Sequence, residues 1–286
     1  MKLLRNSRKT GRPAPLESSE FLLVWRRGEQ RPFVFAWCCM ILAPLACQAQ
    51  SDWVSLFDGK TMAGWEDPRQ KVPPGDAWTI DDGCLKANRS PHITEDLFTK
   101  DVFRDFELAW EWKVAPGTNS GVKYRIQDRV FLAHYVGRRF EDVVNFSVEN
   151  RPAERPDRGQ EYVVGFEYQI LDNARNSDAR AGISHQAGAL YDIVGPSKDV
   201  TRPVGEFNES RLVVKGNHVE HWLNGVKVVE ADLDSALAAE RIAHRWGSGT
   251  PVTEDLTKQP RKECPLSLQN HGGDTWFRNI RIRRLD

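Results

Sequence analysis

Between Gly165 and Asp192 the chain reads GFEYQILDNARNSDARAGISHQAGALYD, its densest run of acids, bases and hydrogen-bonding groups beside an apolar strand. The first part alternates, with Glu167, Gln169 and Leu171 on one side and Phe166, Tyr168 and Ile170 on the other. On a strand, positions two apart on one face lie roughly 7 Å from each other, and positions four apart roughly 13 Å. A sandwich glucanase with the pattern E-x-D-x-E uses such a row as nucleophile, helper and acid. Here the row offers Glu167 alone, and Asp172 falls on the other face or in the following loop. Two-carboxylate hydrolysis therefore has one candidate, which argues against a conventional glucanase.

Other candidates lie nearby or downstream. His185 and Tyr191 close the segment, and an imidazole is a natural base near neutral pH; an exposed loop histidine is the plainer alternative. Glu167 is either a base or the partner of an arginine such as Arg125 on a neighbouring strand. His271 sits in the turn Gln269-Asn270-His271-Gly272-Gly273, and turns between strands carry sites. Asn119-Ser120 caps a turn or touches a ligand. His218, Glu220 and Trp222 share one face with His221 opposite, but three residues on one strand rarely close a metal shell. The tryptophans either stack on sugar rings or fill the core. The chain contains no phosphate-binding loop, dinucleotide fingerprint or nucleophile elbow.

These residues need a scaffold, and the turn signals supply one. Asp81-Asp82-Gly83 links Trp78-Thr79-Ile80 to Cys84-Leu85-Lys86-Ala87 as a hairpin, and Asn224-Gly225 does the same further on. Phe106 to Val114 alternates, with Phe106, Leu108, Trp110, Trp112 and Val114 inward. Gly121 to Gln127 reads the same way, with Val122, Tyr124 and Ile126 inward and Lys123, Arg125 and Gln127 outward. Residues 128–160 are a charged, proline-rich excursion. One helix is expected from Ala236 to Trp246, capped by Asp234 or Ser235 and ended by Gly247. The sum is all-β: a sandwich in one domain over residues 51–286, with one short helix.

Residues 1–50 read as an export leader. Arg26, Arg27 and Arg31 precede the apolar run 32–46, and small and polar residues follow at 47–50. The run is too short to span a membrane. Cleavage after Ala49 is favoured over lipoprotein anchoring at Cys47, so the expected location is periplasmic or extracellular, with no span in the mature form. The whole chain carries 40 basic and 40 acidic residues; the leader holds eight of the former and three of the latter, leaving a mildly acidic body. Such a body does not suggest nucleic acid or an anionic membrane as partner. Of five cysteines, Cys84 and Cys264 remain in the body, as one disulfide or two buried thiols.

Several segments together resemble one family. They are Leu56-Phe57-Asp58-Gly59-Lys60 with Gly64-Trp65, Asp105-Phe106-Glu107-Leu108, Pro116-Gly117-Thr118-Asn119-Ser120-Gly121 and the Gly165–Asp172 strand. Gly188-Ala189-Leu190-Tyr191, His221-Trp222-Leu223-Asn224-Gly225, Leu268-Gln269-Asn270-His271-Gly272 and Phe277-Arg278-Asn279-Ile280 follow in order. Over about residues 53–285 the chain resembles the 3-keto-disaccharide hydrolase family. The resemblance implies a concanavalin-like jelly roll, bacterial export and net hydrolysis of 3-keto-glycosides by lyase and hydratase steps. It implies catalytic roles for Glu167, His271 and Arg125. It implies substrate contacts from Asn119, Ser120, Gln169, Asp172, Tyr191 and Gln269, to which the reading of the loop adds His185. Relatives often carry Asp at the position of Asn270.

That chemistry accounts for the missing carboxylate. A ketone at C3 acidifies the C2 hydrogen, so one base and one oxyanion stabiliser suffice. Glu167 or His271 is the expected base, with Arg125, Gln169 and Asn119 stabilising or positioning and His185 and Tyr191 as reserve acids. The sequence specifies no cofactor, and a divalent cation on the keto oxygen is compatible with the scheme. The competing readings are a non-catalytic carbohydrate-binding module and, behind it, a glucanase.

Overall fold

The protein is described by a computed structural model over residues 52–132, 159–258 and 260–285. The leader with Cys47 and the central part of the 128–160 excursion lie outside the described residues. In chain order the strands are β1 (Val54–Ser55), β2 (Trp65–Glu66), β3 (Trp78–Asp81), β4 (Cys84–Ala87), β5 (Ile93–Thr94), β6 (Leu97–Thr99) and β7 (Phe106–Val114). Then come β8 (Asn119–Leu132), β9 (Gly159–Leu171), β10 (Asn208–Lys215), β11 (His218–Leu223) and β12 (Val226–Asp232). Two helices, α1 (Ala236–Trp246) and α2 (Pro251–Thr257), precede β13 (Ser267–Leu268) and β14 (Thr275–Arg284).

The strands form two sheets. One runs β12-β11-β10-β7-β14-β4-β3, with β1 also on β14; the other runs β2-β6-β13-β8-β9-β5. All pairings are antiparallel except that of β5 with β9. Facing side chains fill the space between the sheets. Trp110 of β7 meets Tyr168 of β9 edge-on at 4.9 Å, and Ser210 of β10 accepts from Trp112 Nε1 at 2.8 Å while contacting the Tyr168 hydroxyl at 2.9 Å. Val122, Tyr124, Tyr168 and Ile170 therefore face the core. This is the expected all-β, concanavalin-like jelly-roll sandwich.

The turn chemistry acts as read. Asn224 and Gly225 both have positive φ, as a two-residue hairpin with right-handed strand twist requires. Ser235 caps α1 by accepting from Ala238 N, and Ala238, Ile242 and Trp246 form its buried stripe. The expectation of one helix is corrected by α2. There Thr250 accepts from Thr253 N and Pro251 occupies the first turn, where its missing N–H costs nothing. Its seven residues are too few to show a periodic apolar face.

Two strands break their ladders in different ways. In β14 two residues, Asn279 and Ile280, oppose the single Trp110, so the buried set switches from Thr275 and Phe277 to Ile280 and Ile282. In β8 three residues, 125–127, oppose Gly165 alone, and Arg125 takes φ 52°. A Cβ on Gly165 would stand 2.9 Å from the Tyr124 carbonyl oxygen, so the crowding demands glycine. Beyond this break β8 and β9 continue pairing to Leu132 and Gln160, well into what reads as excursion. Cys84 and Cys264 are separate buried thiols, which resolves their pairing in favour of no bond. No helix among the described residues is long and apolar enough to cross a membrane.

Candidate active site

The outer face of the six-stranded sheet presents side chains in rows. Directly opposed residues on neighbouring strands share a face, so the pairs Lys123↔Glu167 and Ser267↔Lys123 place Glu167, Lys123 and Ser267 in one line across β9, β8 and β13. The next row is Gln169, Gly121 and Gln269: Gln169 pairs with Gly121, and Gln269 N donates to the Gly121 carbonyl at 2.8 Å. Asn119 begins a third. Gly121 leaves a gap that Glu167 fills, since a Cβ there would fall 2.3 Å from Glu167 Oε1. The carboxylate thus lies across the sheet, 3.6 Å from Lys123 Nζ.

The chain after β9 returns along that strand. Gly188 N donates to the Gln169 carbonyl, Gln169 N to the Ala189 carbonyl, and Tyr191 N to the Glu167 carbonyl, all at 2.8–3.0 Å. The return places Tyr191 beside Glu167, with His185 on a short 3-10 turn behind it. Together with Arg245 of α1 and the β13–β14 link at His271, it encloses a cleft of about 570 Å³. Tyr162, Gln269, Arg89, Asn176 and Asp178 also line it.

Asp178 is the hub of this wall. It accepts from His185 Nδ1 at 2.8 Å, the Tyr191 hydroxyl at 3.0 Å, Asn119 Nδ2 at 3.3 Å and Gln169 Nε2 at 3.4 Å. His185 Nε2 meets Asp192 at 3.2 Å, and Arg245 stands 3.5 Å from the same Asp192. Hydrogen bonds to Asp178 and then Asp192 push the imidazole up to about 9, so it is a fixed cation at neutral pH. Burial alone would raise both carboxyls, but the His185 hydrogen bond heads the contributions that hold each below its ordinary value. Burial also pushes the Tyr191 phenol up, so it remains a hydrogen-bond donor. Gln269 Oε1 and Asn119 Oδ1 are buried acceptors without a protein partner.

Residues 52–283 match the family described as 3-keto-alpha-glucoside-1,2-lyase-like domain. The chain belongs to this family. A Bacteroides thetaiotaomicron protein named 3-keto-disaccharide hydrolase is 31% identical over 252 residues, which cover 82% of this chain and 79% of that protein. A Parabacteroides distasonis crystal structure, provisionally named a glycosyl hydrolase, superposes with a TM-score of 0.61 at 24% identity, covering 82% of this chain and 94% of the other. A second from the same organism gives 0.54 at 25% identity, covering 82% and 99%.

In this family member seven of the ten expected site residues line the cleft: Glu167, His271, Asn119, Gln169, His185, Tyr191 and Gln269. Three do not. Arg125 is carried off the face by the break in β8, and its guanidinium donates to the Gly216 carbonyl at 2.6 Å and to Asp105 at 3.4 Å. Lys123 takes the place beside Glu167 that Arg125 was expected to hold. Ser120 faces inward and donates to the Gln269 carbonyl at 2.7 Å, fixing the segment just after β13 that carries Gln269. Asp172 accepts from the backbone N–H groups of Gly117, Ala174 and Arg175, so it builds the turn after β9. Asn270 is not a lost cleft carboxylate either. Its amide donates to the Ala77 and Asn88 carbonyls, a task an aspartate could not perform.

Asp178, Asp192, Lys123, Tyr162 and Arg245 were not expected here. The aspartates are in or near the polar loop and have no periodic signal, and Arg245 is one of several basic residues on α1. The sequence disfavours metal binding by the strand group His218, Glu220 and Trp222; ligand atoms of His218, Glu220 and Glu230, the last from β12, come within 4.8 Å of one another. Lys227 already bridges Glu220 at 3.1 Å and Glu230 at 2.5 Å. His221 is in the core, bonded to the Tyr124 hydroxyl and the Gly188 carbonyl, and burial pushes it down to about 4.

Proposed function

We propose that the protein is a carbohydrate-active hydrolase that cleaves 3-keto-glycosides through proton abstraction, elimination and hydration. One observation carries the reading: of the three carboxylates that line the cleft among the described residues, Asp178 and Asp192 are both committed to His185, leaving Glu167 to meet a substrate proton. Glu167 removes the C2 hydrogen of the oxidised sugar. The electron pair moves onto the C3 oxygen as an enolate, then returns to form the C1–C2 double bond as the C1 substituent leaves with its shared electrons. The departing oxygen takes a proton from His271 or water. Water then adds, hydroxyl to C1 and proton to C2, restoring the ketone-bearing sugar, so the net change is hydrolysis.

The other cleft groups fit positioning roles. His185 has both ring nitrogens bonded to carboxylates, which makes it a fixed positive charge and not a proton shuttle. Arg89 and His271 are exposed at the rim, where they can donate to the developing enolate. The likeness to a named 3-keto-disaccharide hydrolase supports the substrate class. A binding module would be expected to offer a tryptophan platform, yet among the described residues no tryptophan lines the cleft, and Trp65, Trp78, Trp110, Trp112 and Trp246 are buried. The leader at residues 1–50 supports export, which sequencing the mature N-terminus would check.

The test is incubation with 3-keto-trehalose beside unoxidised trehalose and a β-glucan. Turnover of the keto sugar alone is expected, with Glu167→Gln lowering kcat by roughly a hundredfold or more, the scale of general-base catalysis. Full activity of the Glu167→Gln, His271→Ala double variant would overturn the mechanism. Turnover of the glucan would restore the conventional reading.

A further inference from the structure

The row that begins at Glu167 does not end at Lys123. Lys123 is directly opposite Ser267, and Ser267 Oγ donates to Asp96 Oδ2 at 3.2 Å. The line therefore runs carboxylate, ammonium, hydroxyl, carboxyl, and each member is at most 5% exposed. Lys123 donates to the Val163 carbonyl at 3.0 Å and lies 3.9 Å over the Tyr162 ring. Two carboxyl groups thus have one buried ammonium between them. Removing charges from water is costly unless they are balanced. Glu167 has the direct ion pair with Lys123 and Arg245 beyond it, whereas Asp96 meets the neutral Ser267 hydroxyl, so Asp96 is the carboxyl that favours its neutral form.

We propose that Lys123 and Asp96 are positioning residues for Glu167: Lys123 anchors the carboxylate, and the charge on Asp96 decides whether that ammonium serves Glu167 alone or is shared. The inference rests on Glu167 being the base for its kinetic consequence, but not for the coupling itself. Burial pushes Asp96 up to about 7, opposed by Lys123 and reinforced by Glu167. Burial would lower the ammonium, yet Tyr162, Glu167 and Asp96 hold it above its ordinary value. Near neutral pH Asp96 is then divided between its two forms. Below that point it is neutral and Lys123 belongs to Glu167. Above it the second negative charge competes for Lys123, and the ammonium no longer offsets the Glu167 carboxylate alone. The remaining groups facing the row are Tyr162 from β9, Tyr191 and Asp178 from the returning loop, Arg245 from α1 and His271 from the β13–β14 link.

The coupling can be read without any substrate, by carbon-13 titration of the Asp96 carboxyl in the full chain. Wild type should titrate near 7; Glu167→Gln should lower that midpoint by about one unit or more, and Lys123→Met should raise it by a similar amount. A midpoint that moves by less than 0.3 in Glu167→Gln (roughly a twofold change in the proton equilibrium) overturns the proposal. That arm stands even where Lys123→Met does not fold, and Lys123→Arg should restore the wild-type value. The kinetic arm uses the 3-keto sugar. Wild-type kcat should rise about three- to tenfold through pH 7, with KM steady, and Asp96→Asn should remove that rise. A rise that persists in Asp96→Asn overturns the regulatory part. Absence of any turnover by wild type would count against the proposed reaction, while the titrations would still decide the row.

Discussion

His221 and His185 pack against opposite faces of the six-stranded sheet, His221 reaching its inner face from β11 and His185 covering its outer face from the returning loop, and they have opposite fates. On the inner face His221 is fully buried, among Tyr124, Tyr168 and a backbone carbonyl, with no carboxylate beside it, so its charged form is expelled. On the outer face His185 is also shielded, but Asp178 and Asp192 flank it, and its charged form is held. Burial alone does not decide the state of an imidazole; the sign of its neighbours does. The inner face uses its polar groups to hold two sheets together. The outer face fixes charges around a space where charge will move.

The widest gap between the faces should appear when the outer network loses its hub. Asp178→Asn leaves His185 with one carboxylate and deprives Tyr191 of its acceptor. Turnover of a 3-keto-glycoside should fall by about a hundredfold, the scale of a misplaced site. Proton NMR should show the His185 midpoint well below 9, while the His221 midpoint stays in place. Equal movement of both would break the contrast.

A smaller effect is expected at Gly121. In Gly121→Ala the new methyl occupies the gap filled by Glu167 Oε1 and displaces the carboxylate. Activity should drop by about tenfold with little change in melting temperature. Unchanged kcat would mean that the carboxylate position is not critical.

The two histidines should also set the pH limits of stability with opposite sign. His221 goes from an ordinary 6.5 to about 4 on folding, so its neutral form is favoured in the native state. Its contribution is complete above 6.5 and is lost as pH falls through 4, a change of roughly 3 kcal/mol. His185 rises from 6.5 to about 9. Its contribution is complete below 6.5 and is lost as pH rises through 9, and solvent screening makes this limb the shallower of the two. Urea unfolding at pH 4, 6.5 and 9.5 measures both limbs. His221→Gln should flatten only the acid limb and Asp178→Asn should reduce only the alkaline one.

The elements that announce themselves in the sequence are those whose causes are local. Asn224-Gly225 needs no distant partner to turn, the alternation of Phe106 to Val114 shows which side meets the core, and Ser235 and Gly247 bracket α1 by their own backbone preferences. Glu167 and Gln169 were legible because the strand period fixes their face. Arg125 was not, because two extra residues in β8 redirect it and only the opposing Gly165 hints at them. Asp172 and Asp178 are six residues apart in one polar loop, yet one serves backbone N–H groups and the other gathers the cleft. Loop composition cannot separate those roles, since they depend on what the folded chain brings near. Asp96 lies between two very short strands, where no pattern is long enough to assign a face.

The breaks in β8 and β14 differ by one residue, and that difference is a matter of parity. The break in β14 adds an odd count, and every side chain beyond it changes sides. The break in β8 adds an even count, so Tyr124 and Asp128 keep the same phase relative to β9 on either side of it. The strand can therefore lengthen or shorten by pairs at residues 125–127 without inverting the face that carries Asn119, Gly121 and Lys123. A single insertion there would be read differently, because it would put the far half of the strand out of phase with its partner. Length changes in this part of the fold should thus come in twos.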